Sequence, residues 1–158
     1  MAAEIERKFL LANDGWRGLA SPRLIRQGYL TLAPHCIVRA RISGPDAWLT
    51  VKGVSIDGCR DEYEYAVPLR DAEEMLDRLC QGPLIEKWRS RIPHAGLVWE
   101  VNEFLGENAG LMVAEVELER REQELALPSW IGREVTGDLR FHNSNLMKNP
   151  FSRWAASL

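Results

Sequence analysis

The chain has 158 residues, a length typical of one domain, and we expect residues 1–158 to form a single domain. Hydrophobic residues make up 46% and charged residues 27%, which is typical of a globular protein rather than a disordered chain. A formal net charge of −3 argues against a general nucleic-acid or anionic-membrane binder. No apolar run approaches the roughly 20 residues of a membrane span. The three cysteines form no CxxC pair or zinc pattern, so we expect a cytoplasmic protein with reduced thiols.

Strand-like alternation dominates the first two thirds of the chain, and turn sequences such as SGPD, SIDG and GENAG separate the segments. Eight strands are predicted near residues 3–10, 24–32, 36–42, 47–52, 60–67, 85–92, 97–104 and 111–118. One helix is predicted over 71–80, because Asp71 can start it and Met75, Leu76 and Leu79 form an apolar stripe. A second short helix is predicted over 120–125, followed by helical turns after Gly137. This pattern predicts a mainly β (α+β) fold, as a barrel or a folded-over sheet.

Charged residues recur at every second position of several predicted strands, and most of these strands carry mainly one sign. The first strand places Glu4, Glu6 and Lys8 on one face, with Ile5 and Phe9 on the other. The later strands add two sets of residues with the same alternation. The cations are Arg39, Arg41, Lys52, Arg60, Lys87, Arg89 and Arg91, and the carboxylates are Glu62, Glu64, Glu100, Glu115 and Glu117.

These charged faces have two interpretations. Taken strand by strand, a sandwich with its charges in water is favoured, because antiparallel sheets commonly alternate in this way. The sorting of sign by strand, the prominence of arginine and the need of helix 71–80 for an apolar sheet surface favour charges that point inward. Inward charges would require a wet cavity, because burying unpaired ions is costly. Cations that bind phosphate, beside carboxylates that bind a divalent cation, indicate phosphoryl transfer.

The chain resembles the CYTH superfamily, the triphosphate tunnel metalloenzymes, in ten segments that occur in family order. They are EIERKFL, QGYL, VRARI, LTVKG, RDEYEY, EKWR, WEVNEF, AEVELE, WIGREVT and FHNSNL. The resemblance covers most of the chain and implies a closed eight-stranded antiparallel barrel with a few helices packed outside. It further implies a charged tunnel in which tripolyphosphate is hydrolysed to pyrophosphate and orthophosphate with the help of a divalent metal.

The resemblance also implies roles for individual residues. The ligands of Mg²⁺ or Mn²⁺ would be Glu4, Glu6, Glu115 and Glu117. The phosphates would be bound by Lys8, Arg39, Arg41, Lys52, Arg60, Lys87 and Arg89. Catalysis would involve Lys8, Tyr29 and Glu6, the last through a second metal or the attacking water. The cations would be oriented and balanced by Glu62, Glu64 and Glu100.

Several alternatives stay open at this point. The substrate could be an organic triphosphate, such as thiamine triphosphate or a nucleoside triphosphate, or the enzyme could be an adenylate cyclase. A non-catalytic polyphosphate-binding module is a further alternative, because Asn102 stands where similar family members often carry Asp. We expect a small anionic partner, no nucleic acid and no membrane, and a homodimer is left open.

Two groups of side chains are predicted to lie outside the charged set. Trp48, Trp88 and Trp99 are predicted to pack against helices. The three histidines lie in predicted turns or in the tail, and the surface is the predicted location for His35, His94 and His142.

Overall fold

The computed structural model describes residues 3–158. Within that range an antiparallel sheet of nine strands dominates the fold. The strands are β1 Ala3–Leu11, β2 Arg23–Ala33, β3 Cys36–Ser43, β4 Asp46–Lys52, β5 Cys59–Ala66, β6 Gln81–His94, β7 Leu97–Phe104, β8 Met112–Glu117 and β9 Ile131–Glu134. The helices are α1 Leu69–Arg78 and α2 Asn143–Lys148, and the 3₁₀ turns are Gly106–Asn108, Leu139–Phe141, Phe151–Arg153 and Ala155–Ser157.

Strands β1 to β8 close into a ring. Their order is β5-β4-β3-β2-β6-β7-β8-β1, and β1 then pairs with β5 through Glu4 opposite Arg60 and Ile5 opposite Cys59. Strand β9 pairs with the far end of β1 and stays outside the ring. The predicted eight-stranded antiparallel architecture is therefore confirmed. Among residues 3–158, neither helix has the length and apolar character needed to cross a membrane.

Part of the outer face of the ring is apolar, and helix α1 packs on it. Buried Ala72 and Leu76 of α1 contact Ala40 and Ile42 of β3 and Ala47 of β4. Because successive residues of a strand point to opposite faces, burying these positions outside turns the alternate, charged positions inward. The helix prediction is confirmed apart from its bounds. Pro68, whose φ of −57° suits a helix start, precedes the first turn.

A second apolar layer covers the outer face of β1 and β6 to β8. Phe9 and Trp99 lie with ring centroids 5.5 Å apart, and Trp130 meets Trp99 edge-on at 6.0 Å. Trp99 is thus buried as predicted, although it packs against a strand and a loop rather than a helix. The predictions for the other two tryptophans are wrong. Trp88 is 39% exposed, and Trp48 shares the inward parity of Lys52 in β4.

The interior of the ring is apolar at one end. Tyr29, Ile85, Phe104 and Val113 form this end of the interior and pack against the C-terminal tail. The buried tail residues in this cluster are Phe141, Leu146, Met147, Phe151 and Trp154. The predicted helical turns after Gly137 are confirmed, and they fill one end of the ring as an apolar plug.

Two local predictions differ from the structure. Residues 120–125 form a turn and an irregular segment rather than a helix, and β9 follows where no strand was predicted. Arg121 of this segment donates a hydrogen bond to the Ile56 carbonyl oxygen at 3.0 Å. The segment therefore crosses to the loop before β5, and β9 forms because the end of β1 offers a free edge beside it.

Candidate active site

The ring encloses a cavity of about 210 Å³. Every residue predicted as a metal ligand, phosphate ligand, catalytic group or charge-balancing group lines it. These residues are Glu4, Glu6, Lys8, Tyr29, Arg39, Arg41, Lys52, Arg60, Glu62, Glu64, Lys87, Arg89, Glu100, Glu115 and Glu117. Four lining residues were not predicted: Ile37, His142, Asn143 and Ser144. The cavity therefore combines the two signs of charge that the strand alternation predicted. Arg91, which the same alternation placed with the inward cations, is exposed and does not line it.

Lys8 lies between two carboxylates on adjacent strands. The register of β1 and β8 places Lys8 opposite Glu115 and Glu6 opposite Glu117. Lys8 Nζ lies 3.5 Å from Glu6 Oε1 and 3.6 Å from Glu115 Oε1. Burial lowers the pKa of Lys8, but the Glu115 and Glu6 carboxylates outweigh it, and the pKa rises above its usual value. The ammonium group is therefore retained inside the cavity.

Glu4 is bound by two cations from the neighbouring strands. Lys52 Nζ lies 3.1 Å from Glu4 Oε2, and Arg60 Nε donates a hydrogen bond to the same oxygen at 3.0 Å. Burial would raise the pKa of Glu4, but Lys52 and Arg60 lower it to about 2. Lys52 also lies 3.0 Å from Glu62. Strand pairing at the ring closure thus forms a compact cluster of paired charges.

Glu6 and Glu117 are less well compensated. Burial and the neighbouring Glu115 raise the pKa of Glu6 to about 7, despite Lys8. Burial and three carboxylates, Glu4 among them, raise the pKa of Glu117. Hard oxygen donors that repel one another are a donor set that fits Mg²⁺ or Mn²⁺. No three Asp, Glu, His or Cys side chains among residues 3–158 already stand in a coordinating group, so phosphate oxygens and water would complete any coordination.

Arginines on β3 and β6 extend the charged lining. Arg39 lies 3.5 Å from Glu64, and Arg89 lies 3.3 Å from Glu100. Asn102, the departure from the family pattern, is fully buried, and its Oδ1 accepts a hydrogen bond from Arg89 Nε at 2.8 Å. Its Nδ2 donates to the Val113 carbonyl oxygen at 3.2 Å. Asn102 therefore orients Arg89, which an amide does without adding charge.

Comparison with known proteins identifies the family. The sequence-family model of the CYTH domain matches residues 2–149. The chain belongs to the CYTH family. It is 47% identical to an inorganic triphosphatase from Acetivibrio thermocellus over 154 residues, which cover 98% of this chain and 99% of that protein.

Solved structures agree with this assignment. The crystal structure of the inorganic triphosphatase NE1496 is 34% identical, has a TM-score of 0.65, and aligns over 93% of this chain and 95% of that one. The PH1012 protein from Pyrococcus horikoshii OT3, at 22% identity and a TM-score of 0.55, shares the fold over 74% of this chain and 79% of its own. The triphosphate tunnel metalloenzyme family implies a divalent metal, which agrees with the carboxylates of the cavity.

Tyr29 of this CYTH protein is 4% exposed and lies at the apolar end of the cavity. Its hydroxyl oxygen accepts a hydrogen bond from Gln27 Nε2 at 3.3 Å. Burial raises the pKa of Tyr29, although Arg39 and Arg41 oppose the shift. The phenol is therefore protonated, and its hydroxyl oxygen is held by Gln27.

The C-terminal tail contributes to the site, and the predicted surface position of His142 is wrong. His142, Asn143 and Ser144 line the cavity because the plug brings the start of α2 to its apolar end. Burial, with Lys8 and Arg60 nearby, lowers the pKa of His142 to about 4, so its imidazole is neutral at pH 7. The match of FHNSNL to the family was the sequence signal that pointed to this segment.

Proposed function

We propose that this chain is a divalent-metal-dependent inorganic triphosphatase that hydrolyses tripolyphosphate to pyrophosphate and orthophosphate. The observation that carries the proposal is the convergence of phosphate-binding cations and clustered carboxylates on one cavity. The inorganic triphosphatase from Acetivibrio thermocellus, 47% identical over nearly the whole chain, supports the same activity. We extend the proposal to one domain over residues 1–158, since both β1 and the tail line the cavity.

The metal in this proposal is Mg²⁺ or Mn²⁺, with Glu4, Glu6, Glu115 and Glu117 as its candidate ligands. When bound, such an ion neutralises phosphate charge and polarises the bond to be broken. Glu6 and Glu117 are the best placed of the four, because burial and neighbouring carboxylates raise the pKa of each, and a cation would relieve that repulsion. Glu4 already pairs with Lys52 and Arg60, so its contribution is mainly to hold those cations in place.

The chain's own residues act by positioning and by charge. Arginine and lysine side chains from β3, β4, β5 and β6 hold the phosphates in an extended conformation. A water molecule then attacks the terminal phosphorus, which is released as orthophosphate, and pyrophosphate leaves. Lys8 is held protonated by Glu6 and Glu115, which supports charge stabilisation rather than a role as base. Glu6 is the candidate for orienting the attacking water. The apolar plug limits water at one end of the cavity.

An organic triphosphate is the second candidate substrate, and one feature favours it. A larger pocket of about 580 Å³ adjoins the cavity through Arg41 and Arg89, and its lining includes Ile25 and Trp48. An aromatic and an aliphatic side chain beside the charged cavity could accommodate the organic part of such a substrate. The adenylate cyclase alternative would use the same pocket, whereas a binding module would leave tripolyphosphate intact. Cytoplasmic location stays a prediction, and a homodimer stays an open alternative.

The deciding experiment measures phosphate release from tripolyphosphate, ATP and thiamine triphosphate in Mg²⁺, Mn²⁺ or EDTA. We expect metal-dependent turnover of tripolyphosphate that EDTA abolishes and Glu6→Gln reduces by about a hundredfold or more. Glu86→Gln, at a half-exposed outward position of β6 outside the cavity, is the matched control and should retain activity. Preferred turnover of ATP or thiamine triphosphate would favour the organic substrate, and binding without turnover would favour the binding module.

A further inference from the structure

The cations of the cavity fall into two groups by partner. Lys8, Lys52, Arg60, Arg39 and Arg89 each lie within 4 Å of a carboxylate. Over residues 3–158, Arg41 and Lys87 have no carboxylate within that distance, and both line the same cavity. Two of the predicted phosphate ligands therefore form no salt bridge with a carboxylate in that range.

Neutral amides hold these two cations. Lys87 is fully buried, and its Nζ donates a hydrogen bond to Asn143 Oδ1 at 2.9 Å. Arg41 Nε donates to Gln27 Oε1 at 2.8 Å. Gln27 Nε2 donates to the same Asn143 Oδ1 at 3.2 Å, which joins the two contacts into one hydrogen-bond network. The network runs from Arg41 on β3 through Gln27 on β2 to Asn143 in the tail and ends at Lys87 on β6.

The orientation of both side-chain amides follows from this hydrogen-bond network. Arg41 is only a donor, so Gln27 must present its oxygen to Arg41 and its nitrogen to Asn143. Asn143 then has to present its oxygen, which also accepts from Lys87. Gln27 is itself fully buried, and its nitrogen reaches the Tyr29 hydroxyl at 3.3 Å. Each member thus fixes the next, and the arrangement leaves other N–H groups of Arg41 and Lys87 available.

We propose that Gln27 and Asn143 are positioning residues that hold Arg41 and Lys87 for a polyphosphate chain without neutralising them. The inference rests on the proposed function in one respect, that the ligand of the cavity is a polyphosphate. A carboxylate at either position would hold the cation equally well but would compete with phosphate for its charge. An amide supplies the hydrogen bond alone.

Charge and burial at this end of the cavity agree with the inference. Burial lowers the pKa of Lys87 well below its usual value, and Arg89 and Arg41 lower it further. Burial, Arg39 and Arg89 lower the pKa of Arg41 to about 9. A nearby anion would favour the charged form of both side chains and would raise their pKa values again. A phosphate group entering here would gain two cations that have no competing partner.

The test replaces each amide with its isosteric acid. Asn143→Asp and Gln27→Glu should raise KM and the calorimetric Kd for tripolyphosphate by about tenfold or more, because each places a carboxylate beside the cation inside the cavity. Their Tm should stay equal or rise, since Lys87 or Arg41 gains a counterion. Asn149→Asp is the control, because Asn149 is exposed on the same tail outside the cavity. It should leave KM, Kd and Tm unchanged.

Asn143→Ala separates positioning from folding. It removes the acceptor of Lys87 and should lower Tm, whereas Asn143→Asp should lower affinity without lowering Tm. If Asn143→Asp weakens binding no more than Asn149→Asp, or if its loss of affinity follows a loss of Tm equal to that of Asn143→Ala, the inference is overturned.

Measuring Kd in EDTA as well as in Mg²⁺ separates this inference from the proposed function. A wild-type chain that binds tripolyphosphate without hydrolysing it would refute the triphosphatase, and the Kd ratios of the variants would still decide the role of the amides. A wild-type chain that binds no tripolyphosphate in either condition would refute both.

Discussion

Two walls of the cavity handle similar charges in different ways. On the carboxylate wall, formed by β1, β5 and β8 with Lys52 of β4, the cations pair with Glu4 and Glu115. On the amide wall, formed by β2, β3, β6 and the tail, Gln27 and Asn143 hold Arg41 and Lys87. The carboxylate wall has six lining carboxylates against three lining cations and suits a metal cation, whereas the amide wall has four lining cations and, in the part of the chain that the structure describes, no lining carboxylate. The total charge of the cavity alone therefore does not say where an anion binds.

The largest expected effect comes from removing the carboxylate of Glu115, which lies beside cations of two strands. Glu115 lies 3.6 Å from Lys8 and 3.8 Å from Arg89, so it connects β1 and β6 as well as serving as a candidate metal ligand. Glu115→Gln should lower kcat/KM for tripolyphosphate by about a hundredfold or more. Glu119→Gln, at an exposed position just beyond β8, is the control for a lost carboxylate. A loss smaller than about tenfold would contradict the assignment.

The second prediction contrasts the two walls directly through stability. Lys52→Met leaves Glu4 and Glu62 short of a buried counterion and should lower the free energy of unfolding by on the order of 3 kcal/mol. Lys87→Met replaces a buried ammonium that has no carboxylate partner and should leave that free energy equal or higher. Both variants should raise KM. Urea unfolding monitored by tryptophan fluorescence measures the contrast, and equal losses in the two variants would remove the distinction between the walls.

The third prediction concerns the ring closure that carries the carboxylate wall. Gly58 has φ +78°, and a Cβ there would lie 2.7 Å from the Glu6 carbonyl oxygen. Gly58→Ala should lower the free energy of unfolding by about 1–3 kcal/mol and reduce turnover, because it displaces the backbone of Glu6. Gly96→Ala is a matched control with φ +80° and no heavy atom within 4 Å. It tests left-handed strain alone, so equal effects on turnover would contradict the close approach to Glu6.

The smallest effect is expected outside the ring, where β9 supports the strand that carries Glu6. Arg7 donates two hydrogen bonds to Glu134, at 2.8 and 2.7 Å. These bonds lower the pKa of Glu134, so the pair's contribution is complete above the unfolded pKa of about 4.3 and is lost as the pH falls through the folded value. Glu134→Gln should cost up to about 1 kcal/mol at pH 7, since the pair is partly exposed. Thermal unfolding at pH 7 and at low pH measures it, and an equal cost at both pH values would contradict this sign.

The sequence predicted the lining of the cavity well, for a simple reason. Side chains in a strand alternate with period two, so one inward residue determines its neighbours. Glu4, Glu6 and Lys8 on β1 are an example, as are Arg39 and Arg41 on β3. The same rule, applied to β4, would also have predicted Trp48, which has the parity of Lys52 and faces inward. The prediction for Trp48 was wrong because it placed this residue on the face of β4 opposite to Lys52.

Other features could not be predicted from local pattern. Residues 120–125 have a helix-like composition, yet they form a turn and an irregular segment, and Arg121 makes a long-range hydrogen bond to the loop before β5. The docking of the tail on the apolar end of the ring brings His142 to the cavity, and no pattern within the tail shows that contact. Trp88 has the outward parity that was predicted, but no helix covers its face, so it is 39% exposed.

The sequence by itself determined the eight strands, the inward charged faces and the family, because these depend on alternation along single segments and on short motifs in order. Tertiary structure decided which charges meet. The closure of β1 on β5 pairs Glu4 with Arg60, and the docked tail joins Asn143 to Lys87 and Gln27. Partners that lie 56 and 116 residues apart in the chain leave no local periodicity, so only the packed ring and its plug establish which cations are neutralised.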